Sequence, residues 1–290
     1  MLKHLKHNEI DKQKWNNCIE NSLSPFIYAF SDYLDIVSPN WEALVYDDYL
    51  AVMPLPVKKK YGFTYLMQPL FTQQLGIFSE KKIDKKTYND FLKYIRYGYL
   101  YFALNLNFNN VEPAHYISFF KRTNLILNLN KTYNELQQNF SKNTKRNIKK
   151  SISNNLIINK EELDEDIISF IKKYSVSDIS QNIALLELLL NKLSENKMLE
   201  IYTAYSNKQL QAVSVFTKFA NRFTYLIPVS NAEGKNTKAM FGIINEFLTE
   251  HSSSLNVLDF EGSNIEGIKR FYEGFGAEHQ DYYHIYRKVF

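Results

Sequence analysis

The stretch LEIYTAYSNKQLQAVSVFTKFANRFTYLIPVS, residues 199–230, contains three segments rich in β-branched and aromatic residues, separated by short turns. The first turn is Asn207-Lys208, and the second covers residues 220–222. Segments of this composition between turn residues are typical of β-strands. The stretch therefore predicts a hairpin followed by a third antiparallel strand.

The chain beyond this stretch completes a simple order of elements. A polar loop, NAEGKNT (231–237), precedes a segment from about Lys238 to Glu250 that predicts a helix. The apolar run NVLDF, residues 256–260, predicts a fourth strand. The order is therefore β-β-β-α-β, with the helix crossing over between the third and fourth strands.

The first half of the chain repeats this order. It predicts a hairpin over 41–56, a strand over 63–69, a helix near 88–97 and a strand over 99–107. Residues 63–66 and 223–226 both read FTYL, at the same place in the two orders. We therefore predict two copies of one unit, in domains covering residues 1–130 and 131–290.

The order also predicts the fold class. Antiparallel hairpins that feed a crossover helix produce a mixed, mainly antiparallel sheet with helices packed against it. We therefore predict an α/β (α+β) protein with two such domains in tandem. A long polar helical segment over residues 131–153 is expected to link the halves.

Composition excludes several classes of protein. The 290 residues carry 35 Lys+Arg against 31 Asp+Glu, a net charge of only +4, which is weak for a nucleic-acid binder. Cys18 is the one cysteine, and the six histidines show no ligand-like spacing, so no metal site is expected. No apolar run is long enough for a membrane span, and we expect a soluble, cytoplasmic protein.

The doubled order resembles a known family. Single β-β-β-α-β units of this kind are similar to the GNAT acyltransferase fold. The doubled form, with FSKNTKRNIKKSIS at 140–153 and DFEGS…GIKRFYEGFGAE at 259–278, resembles the Fem-type peptidoglycan-bridge family. The resemblance implies two GNAT-like domains and transfer of an acyl group from a carrier, expected to be acyl-CoA, to an amine. No tightly bound cofactor is expected.

Two acids at the end of the last predicted strand are candidate catalytic residues. If the strand is regular, Asp259 and Glu261 share one side of it. A carboxylate there suits the resemblance, because the acceptor amine must lose a proton before it attacks. Tyr225 is the candidate proton donor, and Tyr272 is a candidate cleft residue. The alternative is that the acids are exposed strand-end residues and the tyrosines belong to the core.

The segment after these acids predicts a tightly capped helix. Ser263 and Glu266 have the spacing of a capping box. Ile268, Phe271 and Phe275 follow at helical spacing and are expected to face the core. Gly274 and Gly276 suit a left-handed helix end.

The loop NAEGKNTK, residues 231–238, is a candidate site for the pyrophosphate of coenzyme A. Helix N-termini favour phosphate because their N–H groups are free and the dipole is positive there. Gly234, Lys235, Thr237 and Lys238 are the candidate binding residues. The alternative is an ordinary polar loop with Asn236 or Thr237 as the N-cap.

Two further groups are candidate substrate-binding residues. Lys145, Arg146 and Lys149 lie on one face of the basic segment 142–150, which suits a polyanion such as tRNA, a nucleotide carrier or an anionic lipid-linked substrate. The alternative is a solvated helix face, with Ile148 and Ile152 packed inward. Gln73 and Gln74 are candidate cleft residues of the first half.

Three functions remain open on the sequence. The first is a GNAT-like N-acyltransferase that uses acyl-CoA, and the second is a Fem-type transferase that uses aminoacyl-tRNA. The third is a non-catalytic binding module that kept the fold, because fold alone does not dictate function.

Overall fold

The computed structural model describes residues 1–262 and 265–287, which form two compact units. The first unit comprises Met1–Thr123 and the C-terminal segment from Gln280, and the second is Asn124–His279. This division differs from the predicted ranges 1–130 and 131–290. The reason is strand pairing: residues 125–128 join the sheet of the second unit, and residues 282–286 return to a sheet of the first.

The first unit contains three α-helices and eight strands before the chain leaves it. In chain order these are β1 (Leu2–Leu5), α1 (Lys12–Glu20), α2 (Ser31–Val37), β2 (Glu42–Tyr46), β3 (Ala51–Leu55), β4 (Val57–Lys60), β5 (Phe63–Met67), β6 (Phe78–Ser79), α3 (Lys85–Gly98), β7 (Phe102–Asn105) and β8 (Ser118–Arg122).

The described residues of the second unit form seven strands and eight helices. They are β9 (Leu125–Asn128), α4 (Tyr133–Gln138), α5 (Lys142–Ser153), β10 (Ile157–Glu161), α6 (Glu165–Tyr174), α7 (Ser177–Gln181), α8 (Ile183–Glu195), β11 (Leu199–Ser206), β12 (Gln209–Phe219), β13 (Arg222–Ser230), α9 (Ala232–Thr237), α10 (Ala239–His251), β14 (Val257–Asp259), α11 (Glu266–Glu273) and β15 (Glu278–His279). The chain then returns to the first unit with β16 (Tyr282–Tyr286).

The sheets are mixed and mainly antiparallel, as predicted. The second unit has one seven-stranded sheet in the order β10-β11-β12-β13-β14-β9-β15. The part of the first unit that the structure describes has two sheets, in the orders β1-β2-β3-β6 and β4-β5-β7-β16-β8. Pro56 lies between β3 and β4, where the chain passes from one sheet to the other, and proline cannot donate a ladder hydrogen bond.

The predicted duplication is confirmed by the pairing of the crossover strands. In the second unit, β13 is followed by helix and then by β14, which pairs with it in parallel. In the first unit, β5 is followed by α3 and then by β7, which again pairs in parallel. The two FTYL segments lie in β5 and β13, so the repeated letters occupy equivalent strands.

Aromatic packing explains why the crossover helix of the second unit lies on the sheet. Phe247 of α10 stacks on Phe216 of β12 with 4.2 Å between ring centroids, and it meets Phe223 of β13 edge-on at 5.1 Å. All three side chains are fully buried. Burial of this kind stabilises the fold by roughly 2–3 kcal/mol per large side chain.

A charged network joins the ends of β11 and α10. Glu200 accepts from His251 at 2.8 Å and from Lys160 at 2.9 Å, and Lys160 also bonds Glu250 at 2.7 Å. The sequence showed no ligand-like spacing here, yet ligand atoms of Glu200, Glu250 and His251 lie within 4.8 Å of one another. Since the Lys160 ammonium already bonds both carboxylates, we assign an ion-pair network to this cluster.

This network predicts a loss of stability in acid. Burial raises the pKa of Glu200, but hydrogen bonds from His251 and Lys160 outweigh burial and lower the pKa from 4.5 to about 2. A depressed carboxyl pKa contributes stability above the unfolded value that is lost as pH falls toward the folded value. Urea unfolding between pH 4.5 and 2 should therefore lose roughly 2 kcal/mol more in the wild type than in Glu200→Gln. Equal losses in both proteins would contradict the assignment.

Candidate functional site

The two parallel strands of the second unit separate after a short common ladder. Arg222, Phe223 and Thr224 of β13 pair with Val257, Leu258 and Asp259 of β14, where β14 ends. β13 continues to Ser230, and Leu226 is an extra residue in its pairing with β12, a β-bulge. The edge of β13 beyond Thr224 therefore has no ladder partner on the β14 side among the described residues.

Three aromatic side chains line this separation. The ring of Phe260 stacks on Tyr272 with 4.6 Å between centroids, and Tyr225 meets these two rings at 5.9 and 6.1 Å. All three are buried. Burial is the main cause that raises the pKa of Tyr225 and of Tyr272, so both hydroxyls stay protonated. Tyr225 belongs to β13 and Tyr272 to α11.

Tyr225 is less accessible than a proton donor requires. Its side chain is 2% exposed, and its hydroxyl lies 3.2 Å from Met240 Sδ and 3.4 Å from Ser214 Oγ. The hydroxyl is directed at protein atoms, so we assign Tyr225 a packing role at the base of the separation.

Asp259 corrects the expectation of two acids on one exposed side. It is fully buried, and its Oδ2 accepts from Arg222 Nη1 at 2.6 Å. Its Oδ1 accepts from the backbone N–H of Glu261 at 2.9 Å. Both oxygens are engaged inside the protein, so Asp259 positions Glu261 and does not face a substrate.

Glu261 lies outside the strand and in a left-handed conformation. Its φ is 59°, so the alternation that would have placed it beside Asp259 stops before it. The residue is partly exposed. The pKa of Tyr272 is raised mainly by burial, then by Tyr225, and then by the negative charge of Glu261. Of the two predicted carboxylates, Glu261 alone is accessible at the mouth of the separation.

The helix after these acids differs in part from the prediction. Ser263, the predicted cap, lies outside the described residues, and α11 begins at Glu266. Phe275 is buried as expected, but Ile268 is 38% exposed, and Tyr272 is the buried residue of the helix. Gly276 has the left-handed φ of 83° that ends the segment.

Gly234 does not lie in a phosphate-binding loop. The predicted loop is largely the helix α9, capped by Asn231, and Gly234 is buried within it. A Cβ on Gly234 would lie 2.3 Å from the backbone oxygen of Gln211 and 2.6 Å from Ser230 Oγ. The glycine is therefore needed for contact between α9 and β12, not for approach of a pyrophosphate.

The other residues of that candidate site also differ from the prediction. Thr237 Oγ1 donates to Gln211 Oε1 at 2.7 Å, and Lys238 has a left-handed φ of 67° between α9 and α10. Lys235 is exposed on α9. Asn236 or Thr237 is the predicted N-cap of the helix that follows, but the N-cap of α10 is Lys238, and its side chain makes no capping hydrogen bond. Asn231 caps the preceding helix α9. These residues do not fit the cradle that the resemblance implies for coenzyme A.

Replacing Gly234 with Ala tests this packing role. The added methyl must push α9 away from β12, and overpacking of this kind costs about 1–3 kcal/mol. Gly267 of α11 is the matched control, because a Cβ there meets nothing within 4 Å. Gly267→Ala should stabilise by up to about 1 kcal/mol, as expected for alanine in an exposed helix. Urea unfolding of both variants measures the contrast, and similar changes would contradict it.

The basic segment forms the helix α5, with Ser141 as its N-cap. Lys142, Arg146, Lys149 and Lys150 are exposed, and Lys145 is partly exposed. None of these five makes an ion pair with any described residue. Ile148 packs inward as predicted, but Ile152 is 67% exposed, so that half of the prediction is wrong. The apolar face of α5 is therefore narrower than the spacing of Ile148 and Ile152 predicts.

The two glutamines of the first unit have different surroundings. Gln74 is fully buried, and its Oε1 accepts from the backbone N–H of Phe108 at 2.9 Å. It therefore holds a loop and is not a cleft residue. Gln73 is partly exposed, and its backbone oxygen accepts from Asn105 at 2.6 Å.

Sequence reasoning missed three features of this site. Arg222 was treated as a turn residue, although it is the buried counter-ion of Asp259. Phe260 was treated only as part of a strand, and the bulge at Leu226 was not expected. An arginine at the start of an apolar strand was the one available signal, since a buried cation requires an anion.

Comparisons with known proteins agree on the fold. No family model matches the sequence, and no curated protein sequence matches it. Among solved structures, FemX is similar with a TM-score of 0.69 and 10% identity, covering 96% of each chain. A tandem GNAT protein from the clavulanic acid biosynthesis pathway is similar with a TM-score of 0.58 and 8% identity, covering 99% of this chain and 98% of that one.

A third solved structure has a similar fold over nearly the whole chain. A GNAT-family acetyltransferase from Colwellia psychrerythraea is similar with a TM-score of 0.56 and 10% identity, covering 99% of this chain and 100% of that one. The protein therefore has the doubled GNAT-like fold that the sequence predicted, and this fold is similar to that of FemX. No helix in the described parts of the chain is long and apolar enough to cross a membrane.

Proposed function

We propose that this protein is an N-acyltransferase that moves an acyl group from a carrier to an amine acceptor. The observation that supports this proposal is the separation of β13 from β14 with the accessible carboxylate of Glu261 beside it. Open α/β sheets bind ligands where neighbouring strands diverge. FemX and the tandem GNAT protein share this fold, which supports a transferase in general.

Glu261 is the proposed general base. An amine attacks an acyl carbonyl only after it has lost a proton, and a carboxylate can accept that proton directly or through one water. The hydrogen bond from the Glu261 N–H to Asp259 holds the left-handed turn, and Arg222 holds Asp259. Arg222 and Asp259 are thus positioning residues that act through Glu261.

The edge of β13 is the proposed site for the acyl carbonyl. Beyond Thr224 the strand has no ladder partner on the β14 side among the described residues. Backbone N–H groups on that edge can donate to the oxygen on which negative charge develops during attack. The bulge at Leu226 changes the direction of these groups, as bulges beside active sites do.

We propose that the carrier is a polyanion, an aminoacyl-tRNA, that binds α5. Five cations on that helix make no ion pair with described residues, and α9 leaves no glycine-rich cradle for a coenzyme A pyrophosphate. The N–H of Ser141 donates to Gly274 at the end of α11 at 2.8 Å, and α11 carries Tyr272. The start of α5 is thus adjacent to the helix that lines the separation.

The salt dependence of tRNA binding tests the proposal that the carrier is an aminoacyl-tRNA. Labelled tRNA should bind with an affinity that falls steeply with salt, and Arg146→Gln with Lys149→Gln should reduce the log–log slope by about 2. Lys172→Gln with Lys173→Gln is the matched control, because it removes the same charge from the exposed end of α6. The control should keep the wild-type slope.

Acyl-CoA is the second candidate donor, and a thermal-shift experiment on the same protein distinguishes it from aminoacyl-tRNA. A ligand at 100 times its Kd should stabilise the protein by about 2.7 kcal/mol. We expect no such thermal shift with acetyl-CoA. A clear shift together with acetyl transfer to an amine would overturn the tRNA proposal and retain the transferase. Absence of transfer from either donor would favour a non-catalytic binding module.

A further inference from the structure

The five-stranded sheet of the first unit carries a cationic and aromatic cluster on the face opposite its apolar core. Asn105, His284 and Phe120 form one row across β7, β16 and β8. Arg122 and Tyr286 lie on the same face, two residues from Phe120 and His284 along their strands. We call Arg122, His284, Phe120 and Tyr286 the Arg122 cluster.

Arg122 differs from every other arginine of the chain. Each of the others donates to a protein oxygen or forms an ion pair in the described structure: Arg96, Arg146, Arg222, Arg270 and Arg287. Arg122 has no such partner among described residues. Its Nε is shielded from solvent without an acceptor, and its guanidinium lies 5.3 Å from the Phe120 ring.

A shielded N–H donor of a cationic group lowers the stability of the folded protein when it has no acceptor. A buried N–H without an acceptor costs about 1–3 kcal/mol, and more when the group is charged. Buried polar groups in folded proteins almost always have a partner, which a bound ligand can supply. An acceptor with negative charge would satisfy the Nε of Arg122 and balance its charge.

His284 defines the second contact of such a ligand. Its Nδ1 lies 2.7 Å from Asn105 Oδ1, and Asn105 Nδ2 donates in turn to the Gln73 backbone oxygen at 2.6 Å. The amide oxygen can only accept, so Nδ1 carries the proton and Nε2 is left as an acceptor. Burial, with Arg122, lowers the pKa of His284 to about 4, which keeps the ring neutral.

We propose that the Arg122 cluster binds an oxyanion, a carboxylate or a phosphate, that carries an N–H or O–H donor next to it. Arg122 neutralises the negative charge, and His284 Nε2 accepts from the neighbouring donor. Phe120 is 44% exposed, so its ring is available to an apolar part of the ligand. This site lies within the first unit and does not depend on the proposed acyl transfer.

The test uses ring resonances of ¹³C-histidine in the full chain, at constant pH. The probes are inorganic phosphate and N-acetylglycine, a carboxylate beside an amide N–H. The resonance assigned with His284→Gln should shift saturably. Arg122→Gln should weaken binding about tenfold or more, as expected for a hydrogen bond to a charged group.

Lys121→Gln is the matched control. It removes the same charge from the next position of β8, whose side chain faces the other side of the sheet. Binding of phosphate alone would assign a phosphate ligand, and binding of N-acetylglycine alone would assign a carboxylate. No shift with either probe, or equal weakening by Arg122→Gln and Lys121→Gln, would overturn the site. Since no acyl transfer is measured, failure here leaves the proposed function intact.

Discussion

Glu261→Gln is expected to lower kcat for acyl transfer by roughly 10²–10⁴-fold, the usual contribution of a positioned general base. The amide keeps the shape of the side chain but cannot accept the amine proton. The left-handed turn should survive, because Asp259 bonds the backbone N–H of residue 261 and not its side chain. Single-turnover transfer from a charged carrier measures the effect.

Glu266→Gln is the control for this prediction. Glu266 is an exposed carboxylate of α11 that pairs with Arg270 at 3.5 Å, so the change removes one nearby negative charge without touching the base. It should leave kcat within about twofold, since exposed pairs contribute little. If Glu261→Gln transferred at the wild-type rate, Glu261 would not be the base.

Asp259→Ala is expected to destabilise the protein by about 3–5 kcal/mol, the cost of removing one member of a buried ion pair. Arg222 is 6% exposed and Asp259 is fully buried, so water cannot replace the lost carboxylate. The change also removes the acceptor of the Glu261 N–H. Urea unfolding should show a lower midpoint with an unchanged m-value.

The double variant Arg222→Met with Asp259→Leu provides the comparison. Replacing both members of a buried ion pair by apolar residues is often neutral or stabilising. The double variant should therefore recover most of the stability that Asp259→Ala loses. Its rate of acyl transfer should nevertheless stay below that of the wild type, because Glu261 has lost its positioning contact. A single variant as stable as the wild type would contradict the assigned ion pair.

Predictions from local patterns succeeded where the signal repeats along the chain. The two FTYL segments identified equivalent strands, because strand period and turn composition are encoded within a few residues. The helix α5 and the inward position of Ile148 were also readable from spacing.

The candidate site was predicted only in part. The pattern located Glu261, Tyr225 and Tyr272 in one region, but it assigned Asp259 to the surface. Strand alternation predicts the side of residue 261 only while the strand continues, and the positive φ of Glu261 ends the alternation there. The role of Gly234 was missed because close packing against Gln211 is a contact between elements that lie far apart in the chain.

The sequence by itself determined the doubled β-β-β-α-β order and its mixed sheets, because hydrophobic period and turn residues act over short distances. Tertiary structure alone decided which acid is buried, where α9 packs and how the last strand returns to the first unit. Those outcomes depend on contacts between distant segments. Their free energies come from burial and from pairing of charges, neither of which a local pattern contains.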